Sequence, residues 1–152
     1  MKIRADEHVS PEIVRAIRDM ALSPDWEISS VLDYDRGSDD VHWITHFARD
    51  GGHAILSADT DFFKVPHQVV AIFDTKLRVI HLPAKWANAA CHLQAAHLFL
   101  WWRRIETCVA EMRVGQCFRP PWNINESGKL ERIDIDFQRA SRKLRQAARR
   151  GD

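Results

Sequence analysis

Three short apolar runs, each stopping at acids, most constrain how this chain can fold. Residues 1–5 end at Asp6-Glu7, residues 26–32 run into Asp33-Tyr34-Asp35-Arg36-Gly37-Ser38, and residues 53–57 lead into Ala58-Asp59-Thr60-Asp61-Phe62. Between them lie two segments of helix length. The first is opened by Ser10-Pro11-Glu12, a cap followed by proline at the first helical position, and carries Ile13, Val14, Ile17 and Met20 on one face. The second starts near Ser38 or Asp39, turns Trp43, Ile44, Phe47 and Ala48 inward, and stops at Gly51-Gly52. Strands alternating with helices imply right-handed crossovers and a mainly parallel sheet covered on both faces, a three-layer α/β/α fold.

Further along, residues 69–73 and 77–82 read as two more strands joined by a tight corner at Asp74-Thr75-Lys76. After Pro83 the character changes. Residues 84–113 read as one long helix, and four of the six tryptophans (Trp86, Trp101, Trp102 and Trp122) lie beyond Pro83. That segment is either core around the helix, the preferred reading, or a patch for a homodimer or another partner. Residues 118–123 suit regular structure poorly, and residues 136–149 read as a basic terminal helix, an RNA-binding stripe or an ordinary solvated face. The expected organisation is an α/β core over 1–83 and a helical C-terminal extension over 84–152 packed on it, one compact domain in all.

Composition excludes several classes. With 22 Lys+Arg against 21 Asp+Glu the net charge is +1, so no global field draws the chain to nucleic acid or membrane, and any attraction must be local. Cys91, Cys108 and Cys117 are odd in number and widely spaced, which argues against a disulfide framework or zinc knuckle and for a reducing cytosol. No stretch approaches the roughly 18 apolar residues of a membrane span, so no membrane partner is expected.

In open α/β sheets ligands bind outside the carboxyl ends of the strands. Asp6 and Glu7 follow the first strand, Asp40 lies in the first turn of the second helix, and Asp59 and Asp61 follow the third strand. Crowded carboxylates stay ionised cheaply only around a cation, and hard oxygen ligands select Mg²⁺ or Mn²⁺. Such a site hydrolyses phosphodiesters. A lone Asp after a strand is ordinarily a cap or turn residue, and Asp40 could serve only its helix dipole. Three sets at one edge are what favour ligands. Asp33, Asp35 and Asp39 read as solvated loop charges and Asp74 as a turn residue.

Around these acids, His8 either faces the site or makes a loop hydrogen bond. Ser57 and Thr60 either orient a carboxylate or shape the turn. Arg4, Arg36 and Lys64 either meet RNA phosphates or are plain surface charges. Tyr34 and Trp43 are candidates to stack on a base, Trp43 reading better as core. His42 and His46 have metal-binding spacing, four apart on a helix, but no third ligand at a clear spacing, so they read as helix surface.

Asp6-Glu7-x-x-x-Pro11 after an opening strand, Gly37-x-x-Asp40-x-x-Trp43 opening a helix, and Leu56-Ser57-Ala58-Asp59-Thr60-Asp61-Phe62 together resemble the signatures of PIN-like ribonucleases, most of all the small bacterial PIN-like toxins of toxin-antitoxin pairs. The resemblance covers residues 1–83, and the Leu82-Pro83-x-x-Trp86 step also fits it. It implies a PIN-like fold, RNA cleavage with Mg²⁺ or Mn²⁺, and an antitoxin partner. Asp6, Asp40 and Asp59 would be the metal-binding acids, with Asp61 a further ligand or hydrogen-bond partner. Many PIN domains carry another acid on the intervening helix, where this chain offers only Glu12 and Glu7. Other readings are an inactive PIN-like module that binds RNA or protein, a Toprim-like site using Glu7 with Asp59 and Asp61, and a receiver-like phosphoacceptor. The Toprim-like site leaves Asp40 idle, and the receiver suits the Asp-Thr-Asp-Phe context poorly.

Overall fold

The computed structural model describes residues 1–123 and 127–151. Strands β1 (Lys2–Ala5), β2 (Glu27–Ser30), β3 (Ala54–Ser57), β4 (Arg78–His81), β5 (Cys117–Arg119) and β6 (Glu131–Ile133) form one sheet in the order β2-β1-β3-β4-β5-β6. Every pairing is parallel except β5 with β6. The helices are α1 (Pro11–Met20), the short α2 (Val31–Tyr34), α3 (Asp40–Arg49), α4 (Pro66–Thr75), the short α5 (Ala84–Ala87), α6 (Cys91–Glu111) and α7 (Phe137–Arg149). The fold is α/β with a mostly parallel central sheet, as the alternation of elements implies.

Side chains alternate across a strand, and here they sort into two cores. Ile3, Ala54, Leu56 and Ile80 pack with Ile13, Val14 and Ile17 of α1 and with Leu98, Trp101, Trp102 and Ile105 of α6. Ile55 and Val79, from alternate positions, pack with Trp43, Ile44 and Phe47 of α3 and Ala71 and Ile72 of α4. Trp86, Trp101 and Trp102 are fully buried, which makes the tryptophan-rich segment core.

Local signals explain the starts. Ser10 Oγ accepts from the Glu12 amide at the mouth of α1, and Asp39 Oδ1 accepts from the His42 amide at 2.8 Å at the mouth of α3. Asp136 does the same for α7, accepting from the Arg139 amide at 2.8 Å.

Several expectations are corrected. Residues 69–73 are not a strand: they lie in α4, which Pro66 opens and left-handed Lys76 (φ 60°) closes. Parallel β3 and β4 require a crossover, and Gln68, Val69, Ala71 and Ile72 bury a helical face, so tertiary demand overrides a β-branched run. Asp74 accordingly lies in the last turn of a helix. The long helix after Pro83 is broken into α5 and α6, clamped by reciprocal bonds: Trp86 Nε1 donates to the Gln94 carbonyl (3.1 Å) and Gln94 Nε2 to the Trp86 carbonyl (2.9 Å). Residues 31–34 form a helical turn capped by Ser30 instead of ending a strand. The segment expected to lack regular structure contributes β5, which with β6 extends the sheet beyond residue 84.

Two charges expected at the surface are inside. Arg4 is 6% exposed, lies 4.4 Å over the Tyr34 ring and 4.6 Å over that of Phe47, and donates from Nε to Ser29 Oγ. It is therefore no phosphate contact. Asp35 is not a solvated loop charge either, because its carboxylate sits 3.8 Å from Arg4 and 3.2 Å from His46 Nδ1. Cys117 is buried, Cys108 half-buried and Cys91 exposed, and all three are free thiols.

Candidate active site

Arg4 of β1, Asp6 just beyond its end, Ser57 of β3 and His81 of β4 share the sheet parity of Ile55 and Val79, so they face the layer made by α3 and α4. Helices α3 and α4 start on the carboxyl side of the sheet, after the short α2 that follows β2 and after a helical turn that follows β3, and their first-turn residues Asp40 and Gln68 meet there. Topology thus assembles the edge from five separate pieces of chain.

Asp6 is its buried centre, 3% exposed. Its Oδ2 accepts from Ser57 Oγ, and its Oδ1 accepts from the His8 amide (3.0 Å) and the Ala58 amide (3.4 Å). Burial pushes the Asp6 carboxyl above its ordinary range, opposed first by the Ser57 hydroxyl. Ser57 Oγ also accepts from the Asp59 amide (3.2 Å), which ties the two acids through one hydroxyl. Asp59 Oδ1 in turn accepts from the Asp61 amide (2.9 Å), and Lys64 Nζ donates to Asp61 Oδ1 (2.7 Å).

Asp40 is held apart from this chain of bonds. Its Oδ1 accepts from Trp43 Nε1 (2.9 Å) and its Oδ2 from Gln68 Nε2. Trp43 is 2% exposed, so it is core with one polar atom spent on an acid. Glu7, His8, Arg36 and Thr60 are exposed, and His8 Nδ1 lies 3.8 Å from Asp6 Oδ1. Glu12 is exposed and bonded to Ser10 and Arg15, away from Asp6.

Among the described residues, no three of Asp6, Asp40, Asp59 and Asp61 bring ligand atoms within 4.8 Å of one another; one group does, made of Asp35, His42 and His46. The donors at the strand ends are nevertheless all oxygen. The most buried of them is a carboxyl whose ionised form is disfavoured until an opposite charge arrives. That chemistry fits a hard divalent cation.

Two residues of this edge escape a reading of the sequence. His81 Nε2 donates to the Asp59 carbonyl (2.8 Å), while Arg119 Nη2 donates to His81 Nδ1 (2.6 Å). The arginine fixes the ring tautomer, and the ring fixes the backbone that carries Asp59. Burial lowers the His81 pKa, opposed by the bond to the Asp59 carbonyl and assisted by the Arg119 charge. Gln68 is the other. A histidine ending an apolar strand was the available signal for His81; nothing local marks Gln68.

The sheet is mainly parallel, is covered by helices on both faces and carries acids at its carboxyl edge. The profile of the family described as PIN like domain matches residues 1–84, more than half of the 152-residue chain, and the chain belongs to that family. PIN-like domains are generally nucleases and usually use divalent metals. Neither curated proteins nor solved structures give a match to the chain. Among the described residues, no helix is long and apolar enough to cross a membrane.

Proposed function

We propose that this chain is a metal-dependent endoribonuclease and the toxin of a bacterial toxin-antitoxin pair. The observation that carries the reading is the Asp6–Ser57–Asp59 link, in which one hydroxyl donates to the buried Asp6 carboxyl and accepts from the backbone amide of Asp59 at the carboxyl end of adjacent parallel strands. Asp6, Asp40 and Asp59 would hold Mg²⁺ or Mn²⁺, with Asp61 as a further ligand or as the anchor of Lys64. Such an ion neutralises charge on the phosphoryl oxygens and lowers the pKa of water for attack. Ser57 keeps the Asp6 carboxylate oriented, Trp43 and Gln68 do so for Asp40, and His81 steadies the Asp59 turn.

The substrate path is supported by charge next to this edge. Lys64, paired with Asp61, lines a cavity of about 410 Å³ that continues past Phe63 and Val69 to Arg139 and Lys143 of α7. Asp134 and Asp136 also line it, so its three cations stand beside two carboxylates. Such a groove suits a single strand whose phosphates meet the cations while bases lie on Phe63. The toxin role and the antitoxin partner rest on the likeness of the acid motifs to small bacterial PIN-like toxins.

The test is incubation of the full chain with end-labelled mixed RNAs in Mn²⁺, Mg²⁺ or EDTA, beside Asp59→Asn. Expected is cleavage that needs the metal and is lost in Asp59→Asn at an unchanged melting temperature. Metal-independent RNA binding that survives Asp59→Asn, without cleavage, would replace this reading with that of an inactive binding module.

A further inference from the structure

Outside the acid edge, one cluster of ligating side chains has no role in the chemistry above. His42 and His46 lie one turn apart on α3, and Asp35 arrives from the C-terminal cap of α2. Each offers an atom within 4.8 Å of the others. His46 Nδ1 is 3.2 Å from both oxygens of Asp35. An ion bound at about 2.0–2.2 Å in a tetrahedron sets its ligand atoms roughly 3.3 Å apart. The His46–Asp35 edge already has that length, and both imidazoles, being exposed, can turn to close the rest.

Two further observations point to a cation. The other nitrogen of His46, Nε2, faces Asp50 Oδ2 at 3.6 Å, the arrangement in which an outer carboxylate orients a ligating histidine and raises its basicity. The Asp35 carboxylate is only 8% exposed and is fixed from behind by Arg4, so it is pre-placed rather than recruited. Both of its oxygens face the Nδ1 of His46, and that nitrogen is itself a metal donor.

We propose that Asp35, His42 and His46 form a second metal site, for a borderline ion of the Zn²⁺ type, with three protein ligands and one position open to water. It is separate in ligand chemistry from the all-oxygen acid edge and does not depend on the proposed ribonuclease activity. Occupied, it pins the α2–α3 connection, which contains Gly37 at φ 80°, to the helix that carries Asp40.

The experiment is titration of the EDTA-stripped full chain with Zn²⁺ by calorimetry and with Co²⁺ by visible absorption, together with melting curves. Expected are one equivalent of Zn²⁺, a cobalt spectrum of low coordination number, and a higher melting temperature with Zn²⁺. His42→Ala, an exposed change that leaves the fold intact, should weaken Zn²⁺ about tenfold or more and abolish the thermal shift, and His46→Gln should do the same. Asp50→Ala should weaken it about tenfold through His46. Asp59→Asn should leave Zn²⁺ binding unchanged. Absence of Zn²⁺ binding, equal binding by wild type and His42→Ala, or loss of binding in Asp59→Asn would each overturn the proposal, whatever the RNA assay shows.

Discussion

The two faces of the sheet bury different kinds of side chain. Under α1 and α6 the strands contribute mainly apolar groups, the buried exception being Ser30 of β2, whose hydroxyl caps α2, and the buried polar side chains of α6, Glu106 and His97, bond to Ser23 and to the Pro121 carbonyl. Under α3 and α4 the strands themselves bury polar groups: Arg4, Asp6, Ser57 and His81. One face is organised for cohesion and the other for holding charges at fixed places, at a cost in desolvation. A fold that concentrates stability on one face can carry strained electrostatics on the other.

The sharpest way to break this contrast is Trp101→Ala on the cohesive face. Removing a fully buried indole should cost about 3–5 kcal/mol, read as a large drop in denaturation midpoint. A cost near that of a surface change would show that α6 does not anchor the sheet. On the polar face, Arg4→Met should cost somewhat less, roughly 3 kcal/mol, because it leaves the Asp35 carboxylate with the exposed His46 in place of a permanently charged buried partner. The double change Arg4→Met with Asp35→Leu should restore most of that loss. Failure of the double change to recover would mean that Arg4 acts through packing on Tyr34 and Phe47 alone.

The smallest expected effect is a pH dependence. His81 has a lowered pKa in the fold, so below its ordinary value of 6.5 the unfolded chain binds more protons than the folded one. Stability should therefore fall as the pH drops through and below 6.5. His81→Gln, which keeps a donor for the Asp59 carbonyl, should flatten that slope in melting experiments. An unchanged slope would assign it to other groups.

Much of this was legible in the sequence because local chemistry and tertiary structure agree there. Ser10-Pro11, Asp39 and Gly51-Gly52 punctuate helices whose apolar spacing is unambiguous, and the acids after the first and third strands lie at the carboxyl edge of the sheet. The unreadable parts are those where a distant residue decides. Residues 69–73 have strand-like composition, and only the need to cross between β3 and β4 makes them helical. Asp35 looks like a loop charge until Arg4, from a different strand, lies beside it, and that same fold-back gives His42 and His46 the third ligand their spacing lacked. Gln68 reaches Asp40 and Arg119 reaches His81 across long chain separations that no local pattern encodes.

The burial of two of the three cysteines has a practical corollary. Burial pushes the Cys108 thiol up to about 11 and the Cys117 thiol up to about 12, which leaves almost no thiolate on either at neutral pH. Cys91 stands exposed at the first position of α6. Cys91 is therefore the most accessible address for a maleimide dye or spin label, at the end of the longest helix. A single-site reporter can be attached there without engineering any residue.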